Sequence, residues 1–196
     1  MKGKFTPLFR LWHWLTVFSV FGLLFTVLLR KSFLNKNAVA EIVRQKLETF
    51  GVAIGADQAI AVAKAIRAPM WEWHYIFALF LGIAIALRLW LMATGRAKLP
   101  ILAVLEAKGV QEKVKAFVHL LLCVTIALMA LSGAVYYFHE ALGFQKSSVH
   151  WLKELHEFLL TPLLLFIALH IGGVVRHELA TKEAIVSRMI HGDEVR

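Results

Sequence analysis

Residues 152–175 read LKELHEFLLTPLLLFIALHIGGVV, and the placing of His156 and His170 in this largely apolar run decides the fold. A helix of this length can cross a hydrocarbon core of ~30 Å. Fourteen helical residues turn through about 1400°, within about 40° of a whole number of turns, so both imidazoles leave one face. They then sit ~21 Å apart along the axis, about two-thirds of the core thickness, one towards each membrane surface. Pro162 lies between them. Its missing N–H and the clash of its ring with the preceding turn predict a kink there.

The rest of the chain agrees with a membrane setting. Of 196 residues 59% are hydrophobic and only 18% charged, with a mean hydropathy of +0.68. Soluble domains carry about 25% charge. Three further apolar runs, 8–29, 71–92 and 114–138, are each long enough to span. Only helices satisfy their backbone internally in lipid. The expected architecture is therefore all-α, an integral-membrane four-helix bundle with short interfacial helices, forming a single domain over residues 1–196. The first run is too long for a cleaved leader and has no small-residue cleavage site, so it should remain as a span. Six Trp and fourteen Phe suit a lipid-facing surface with aromatic belts. The net charge of +9 is assigned to basic flanks of the spans and to partners of acidic groups, not to nucleic acid. The single cysteine, Cys123, excludes a disulfide framework, an iron–sulfur spacing and a CxxCH site for covalent haem.

Between the first two spans lies a long outer loop, residues 31–70. Its stretch 38–50 places Val39, Ile42, Val43 and Leu47 at helical spacing, and a second helical stretch, 56–66, follows Gly55. Both are expected as short helices on the membrane surface, serving as a cover for the bundle mouth or as a partner-docking site. The tail 181–190, with Ile185, Val186, Met189 and Ile190 on one side, is another interfacial candidate. With the N-terminus inside, cytoplasmic segments hold twelve Lys/Arg, among them Lys2, Lys4 and Arg196, and the opposite side holds nine. The positive-inside rule thus places both termini in the cytoplasm.

Ionisable residues within spans point to function. In this orientation His13 lies near the inner face and His74 near the outer face, while the fourth span puts His156 outside and His170 inside. The four sort into two level pairs, His74 with His156 and His13 with His170. Two imidazoles at one depth on facing helices are what a bis-histidine haem needs, so the chain reads as binding two haems b. Arg10, Arg88 and Arg176 reach the inner end, where a planar guanidinium suits a haem propionate; Arg88 could equally snorkel to lipid phosphate. His119, opening the third span on the inner side, is a candidate quinone proton donor and a rival ligand. His139 and His150 are expected to be solvated, His177 to lie near a haem carboxylate, and His191 to be exposed. Gly22, Gly82, Gly133, Gly172 and Gly173 could admit a close approach of helices or porphyrin, or serve ordinary small-residue packing.

These residues also carry a likeness. Arg10-Leu-Trp-His13-Trp14 opens the first span, His74 is followed by Arg88, and His119 is followed at fourteen residues by Gly133. His156-Glu157 with His170 and His177 marks the fourth span, and Arg188-Met189 the tail. On these motifs the chain resembles the prokaryotic four-helix di-haem cytochromes b. That group includes the b-type subunit of nickel–iron hydrogenases, the gamma subunit of formate dehydrogenase and stand-alone bacterial cytochrome b561. The resemblance implies a bacterial inner-membrane protein with His13, His74, His156 and His170 on haem iron. It further implies electron transfer between a periplasmic redox subunit of hydrogenase, dehydrogenase or cytochrome c type and the quinone pool, and it allows a homodimer. The long 31–70 loop departs from the compact stand-alone pattern and leans towards a docking subunit.

Two other readings stand beside this one. A stand-alone superoxide:quinone oxidoreductase would need a positive outer pocket, for which Lys31, Lys36, Arg44 and Lys46 are candidates. A haem-free membrane anchor or transporter should show carboxylates deep in its spans or internal repeats, and the sequence has neither.

Overall fold

The computed structural model describes residues 5–182 and 184–192. Lys2, Lys4 and Arg196, counted above for orientation, lie outside the described residues, as does Glu183 of the tail. Helices follow one another as α1 (Pro7–Lys31), α2 (Lys36–Thr49), α3 (Ala56–Ile66), α4 (Ala68–Ala93) and α5 (Pro100–Glu106). They continue as α6 (Val110–Tyr137), α7 (His150–Phe158), α8 (Leu160–Thr181) and α9 (Ile185–His191). Among the described residues four helical stretches are long and apolar enough to cross a membrane: Pro7–Lys31, Ala56–Ala93, Val110–Tyr137 and His150–Thr181. They contain the runs 8–29, 71–92 and 152–175 read from the sequence, and the third run, 114–138, up to Tyr137.

Polarity along the spans is inverted relative to a water-soluble protein. Only 11–22% of each most apolar window is buried, so most of the apolar side chains point outward. The fully or nearly buried polar residues are Ser19, Thr26, Thr125 and Ser132. Ser19 donates to the Leu15 carbonyl and Ser132 to that of Leu128, each at 2.7 Å. A lipid surround accounts for both halves of this pattern: it solvates the outward apolar side chains, and hydroxyls turned inward satisfy themselves on their own helix.

The chain falls into two compact units. The first, His13–Ala84, contains most of α1 and α4 with α2 and α3 between them. Here α1 and α4 meet through a ladder of aromatic contacts. Phe18 lies 5.4 Å from Phe77 and 6.1 Å from Phe80, ring centre to ring centre, and Gly22 leaves room for the Phe77 ring where any Cβ would collide with it. The Arg30 guanidinium lies 5.4 Å over the Trp71 ring. Asn35 caps α2, its side chain accepting from the N–H groups of Asn37 and Ala38. α2 and α3 bury Ala40, Ala59 and Ala63 against one another, with Val39, Ile54 and Ile60 packed around them. The two loop helices expected from the sequence thus form a small-residue hairpin.

The second unit comprises the chain up to Trp12 and from Ile85 onward. Gly95, at φ +67°, closes α4 and turns the chain into residues 96–99, which lead to Pro100 at the first position of α5. This short helix had no signal in the hydropathy pattern. α6 packs against α5, α7 and α8. The expected kink in the fourth span is a one-residue break at Leu159 between α7 and α8. It precedes Pro162 by three residues because the proline ring crowds the carbonyl of residue 158, one turn earlier.

Candidate functional site

In the first unit His74 is half-buried on α4, edge-on to Trp71 with ring centres 5.7 Å apart. Its Nδ1 lies 2.7 Å from Thr26 Oγ1. Thr26 Oγ1 also sits 2.7 Å from the Leu23 carbonyl, which can only accept, so the single hydroxyl proton is spent there. The hydroxyl must therefore accept from His74, making Nδ1 the protonated nitrogen and Nε2 the lone-pair nitrogen. His13 is half-buried on α1, edge-on to Trp14 at 5.5 Å.

In the second unit the same logic fixes His156. Its Nδ1 donates to the Met129 carbonyl at 2.9 Å, with Ser132 Oγ at 3.4 Å. Nε2 again carries the lone pair. The ring fits there because position 133 is glycine. A Cβ would lie 3.0 Å from Cε1 and 3.1 Å from Nδ1 of His156. Fourteen residues earlier on α6, His119 faces His170 of α8, ring centres 6.4 Å apart, with Cys123 Sγ 3.7 Å from His119 Nε2. One turn further out, Lys115 Nζ lies 3.4 Å from His177 Nδ1.

The arginines divide. Arg88 places its guanidinium 4.5 Å over Trp12 and 5.7 Å over Phe9, and Nη2 donates to the Lys98 carbonyl at 3.2 Å. Its Nε and Nη1 are buried without a hydrogen-bond partner. Arg88 and His119 line one cavity of about 290 Å³ with Phe9, Lys98 and Leu99. Arg10, expected at a propionate, gives Nη1 to the Ile190 carbonyl at 2.9 Å and so ties α9 to the start of α1, while its Nε is buried without a partner. Arg176 is exposed. His150 and His191 are exposed as expected, whereas the side chain of His139 is only 12% exposed, with Nδ1 2.8 Å from the Tyr136 carbonyl.

Thr26, Met129 and Ser132 carried no sequence signal as partners of histidine. Gly133 did, as a small residue fourteen after His119. Gly82, Gly172 and Gly173 show no neighbour within 4 Å of an added Cβ.

These side chains suit a haem. Two imidazoles have Nδ1 engaged and Nε2 as lone-pair nitrogen, the arrangement of a histidine ligand held by its other nitrogen. A buried guanidinium with unsatisfied N–H groups suits a carboxylate. Among the described residues no cluster of three or more His, Cys, Asp or Glu could hold a bare metal ion. Neither the curated proteins nor the solved structures gave a match. The family model described as prokaryotic cytochrome b561 matches residues 4–192. The chain belongs to that family: it is a multi-pass membrane b-type cytochrome that binds haem b and carries electrons.

Proposed function

We propose that the protein holds two haems b and passes electrons from a periplasmic redox subunit to membrane quinone. His74 and His156 hold the outer haem, and His13 and His170 the inner one. Each haem supplies a one-electron iron couple whose potential the ligands and their surroundings tune. The observation that carries this reading is that α6 meets α7 and α8 at two imidazoles fourteen residues apart, His156 over Gly133 and His170 beside His119. At the inner end Arg88 offers Nε and Nη1 to a propionate. His119, in the same cavity, donates a hydrogen bond and then a proton to a quinone carbonyl gaining electrons. The α2–α3 hairpin docks the donor subunit. The protein lies in the inner membrane with both termini cytoplasmic.

The superoxide-linked reading would draw on Lys31, Lys36 and Lys46 beside Arg44 in the outer loop. A cavity of about 220 Å³ there contains Arg44, but Glu41 already occupies the guanidinium at 2.9 and 3.2 Å. Acid–acetone extraction followed by a pyridine haemochrome assay should give two non-covalent haems per chain. One haem, or a covalently retained one, overturns the di-haem assignment. Purification in mild detergent should retain a redox subunit, and a solitary cytochrome reduced by superoxide would replace the donor proposed here.

A further inference from the structure

We infer that Thr26 is a positioning residue for His74, fixing its tautomer and ring plane and thereby lowering the reduction potential of the haem that His74 ligates. The inference rests on the reading of His74 as an axial ligand. Thr26 lies two turns beyond Ser19 on α1 and is only 2% exposed, so its hydroxyl cannot exchange partners with water. Its proton goes to the Leu23 carbonyl at 2.7 Å, and its oxygen receives His74 Nδ1–H at 2.7 Å. A hydroxyl committed in this way can act only as an acceptor, so the imidazole is held in one tautomer.

The electronic consequence follows from the direction of that bond. An acceptor on Nδ1–H draws the proton away from the ring, raises the electron density on Nε2 and makes the imidazole a stronger donor. A stronger donor favours ferric over ferrous iron, which lowers the potential. His156 obtains the same polarisation from the Met129 carbonyl, a backbone group that no side-chain substitution removes. Thr26 is thus the point at which the polarisation of a ligand can be altered by one atom.

Thr26→Val keeps the shape of the side chain and deletes the acceptor. In the haem-loaded, detergent-solubilised protein, a redox titration should show one of two haems shifted upward. Its ferrous-to-ferric ratio at fixed ambient potential should rise about tenfold, equivalent to ~59 mV for one electron. The low-spin ferric electron paramagnetic resonance signal of that haem should change g values as the ring reorients. Thr26→Ser, which restores the hydroxyl, should return both readouts to those of the parent. Unchanged potentials and g values in Thr26→Val overturn the inference. If the valine variant loses the haem and the serine variant keeps it, the hydroxyl is again the requirement and the inference stands. Loss in both marks Thr26 as a packing residue and overturns it. His74→Ala with both haems retained would instead remove the ligand assignment beneath it.

Discussion

The two ends of α6 are built to opposite plans. At the Gly133 end, the polar atoms around His156 are already partnered within the chain: Nδ1 by the Met129 carbonyl and the Ser132 hydroxyl by that of Leu128. Glycine removes the one Cβ that would push the ring aside. At the His119 end, a cavity of about 290 Å³ contains His119 and a guanidinium with two buried nitrogens that have no hydrogen-bond partner. Leaving such groups unsatisfied costs about 1–3 kcal/mol each, so this end is suited to receive an acceptor from outside the chain. The first end holds a ring still, and the second leaves buried donors open to an acceptor that the chain itself does not supply.

The largest effect that could break this contrast is loss of haem. His156→Ala and His170→Ala should each remove one of two haems, measured by pyridine haemochrome, and the haem that remains should titrate at a different potential in the two variants. His74→Ala should reproduce the His156 phenotype and His13→Ala the His170 phenotype. If His13 and His156 share a phenotype, the level pairing is wrong. Next in size is a rate. His119→Leu should keep both haems and their spectra while slowing reoxidation by added quinone roughly 100-fold, the low end of a general acid's contribution. Unchanged kinetics with both haems present would move the quinone site, most directly to the end near His139 and His150. A smaller effect tests the tight seat. Gly133→Ala forces the His156 ring to shift by a few tenths of an ångström and should alter the low-spin signal of one haem, whereas Gly172→Ala, with open space around it, should leave the spectra unchanged. Equal effects from the two alanines would remove the special role given to Gly133.

How far each end could be read in the sequence follows from the kind of force involved. Spans are set by runs of apolar residues, a one-dimensional property, so Pro7–Lys31 and Val110–Tyr137 are legible to within a few residues. The shared face of His156 and His170 is legible for the same reason: helical period alone brings both towards α6. The acceptors on the histidines are not. Thr26 is 48 residues from His74 and Met129 is 27 from His156, and one of the two acceptors is a backbone carbonyl that has no letter in the sequence. α5 escaped because seven residues are too few to show a period, and with it went one wall of the cavity that holds Arg88 and His119, Lys98–Pro100. Arg10 reads as a propionate partner at the inner end. Its engagement with Ile190, 180 residues away, depends on where the tail folds back.

The hairpin α2–α3 supplies the smallest test, because its ion pair lies in water and not among buried helices. Arg44 donates from Nε and Nη2 to the Glu41 carboxylate, and Gln45 adds a bond at 2.9 Å. The Arg44 hydrogen bonds first, and that of Gln45 second, hold the Glu41 carboxyl below its ordinary value, while the hydrogen bonds to Glu41 and then its charge raise that of Arg44. A carboxyl depressed in the folded state stabilises the fold fully above its unfolded pKa and ceases to do so as pH falls through the lower, folded value. The hairpin should therefore exchange its amide hydrogens no differently between pH 7 and 5.5, after correction for the intrinsic rate, and faster at pH 3. Glu41→Gln should flatten that dependence. The two side chains are about half exposed, so the change should be slight and should shrink further in high salt. An undiminished pH dependence in Glu41→Gln would overturn the role given to this ion pair. Haem spectra constant over the same acid range would show that the hairpin loosens without disturbing the haems.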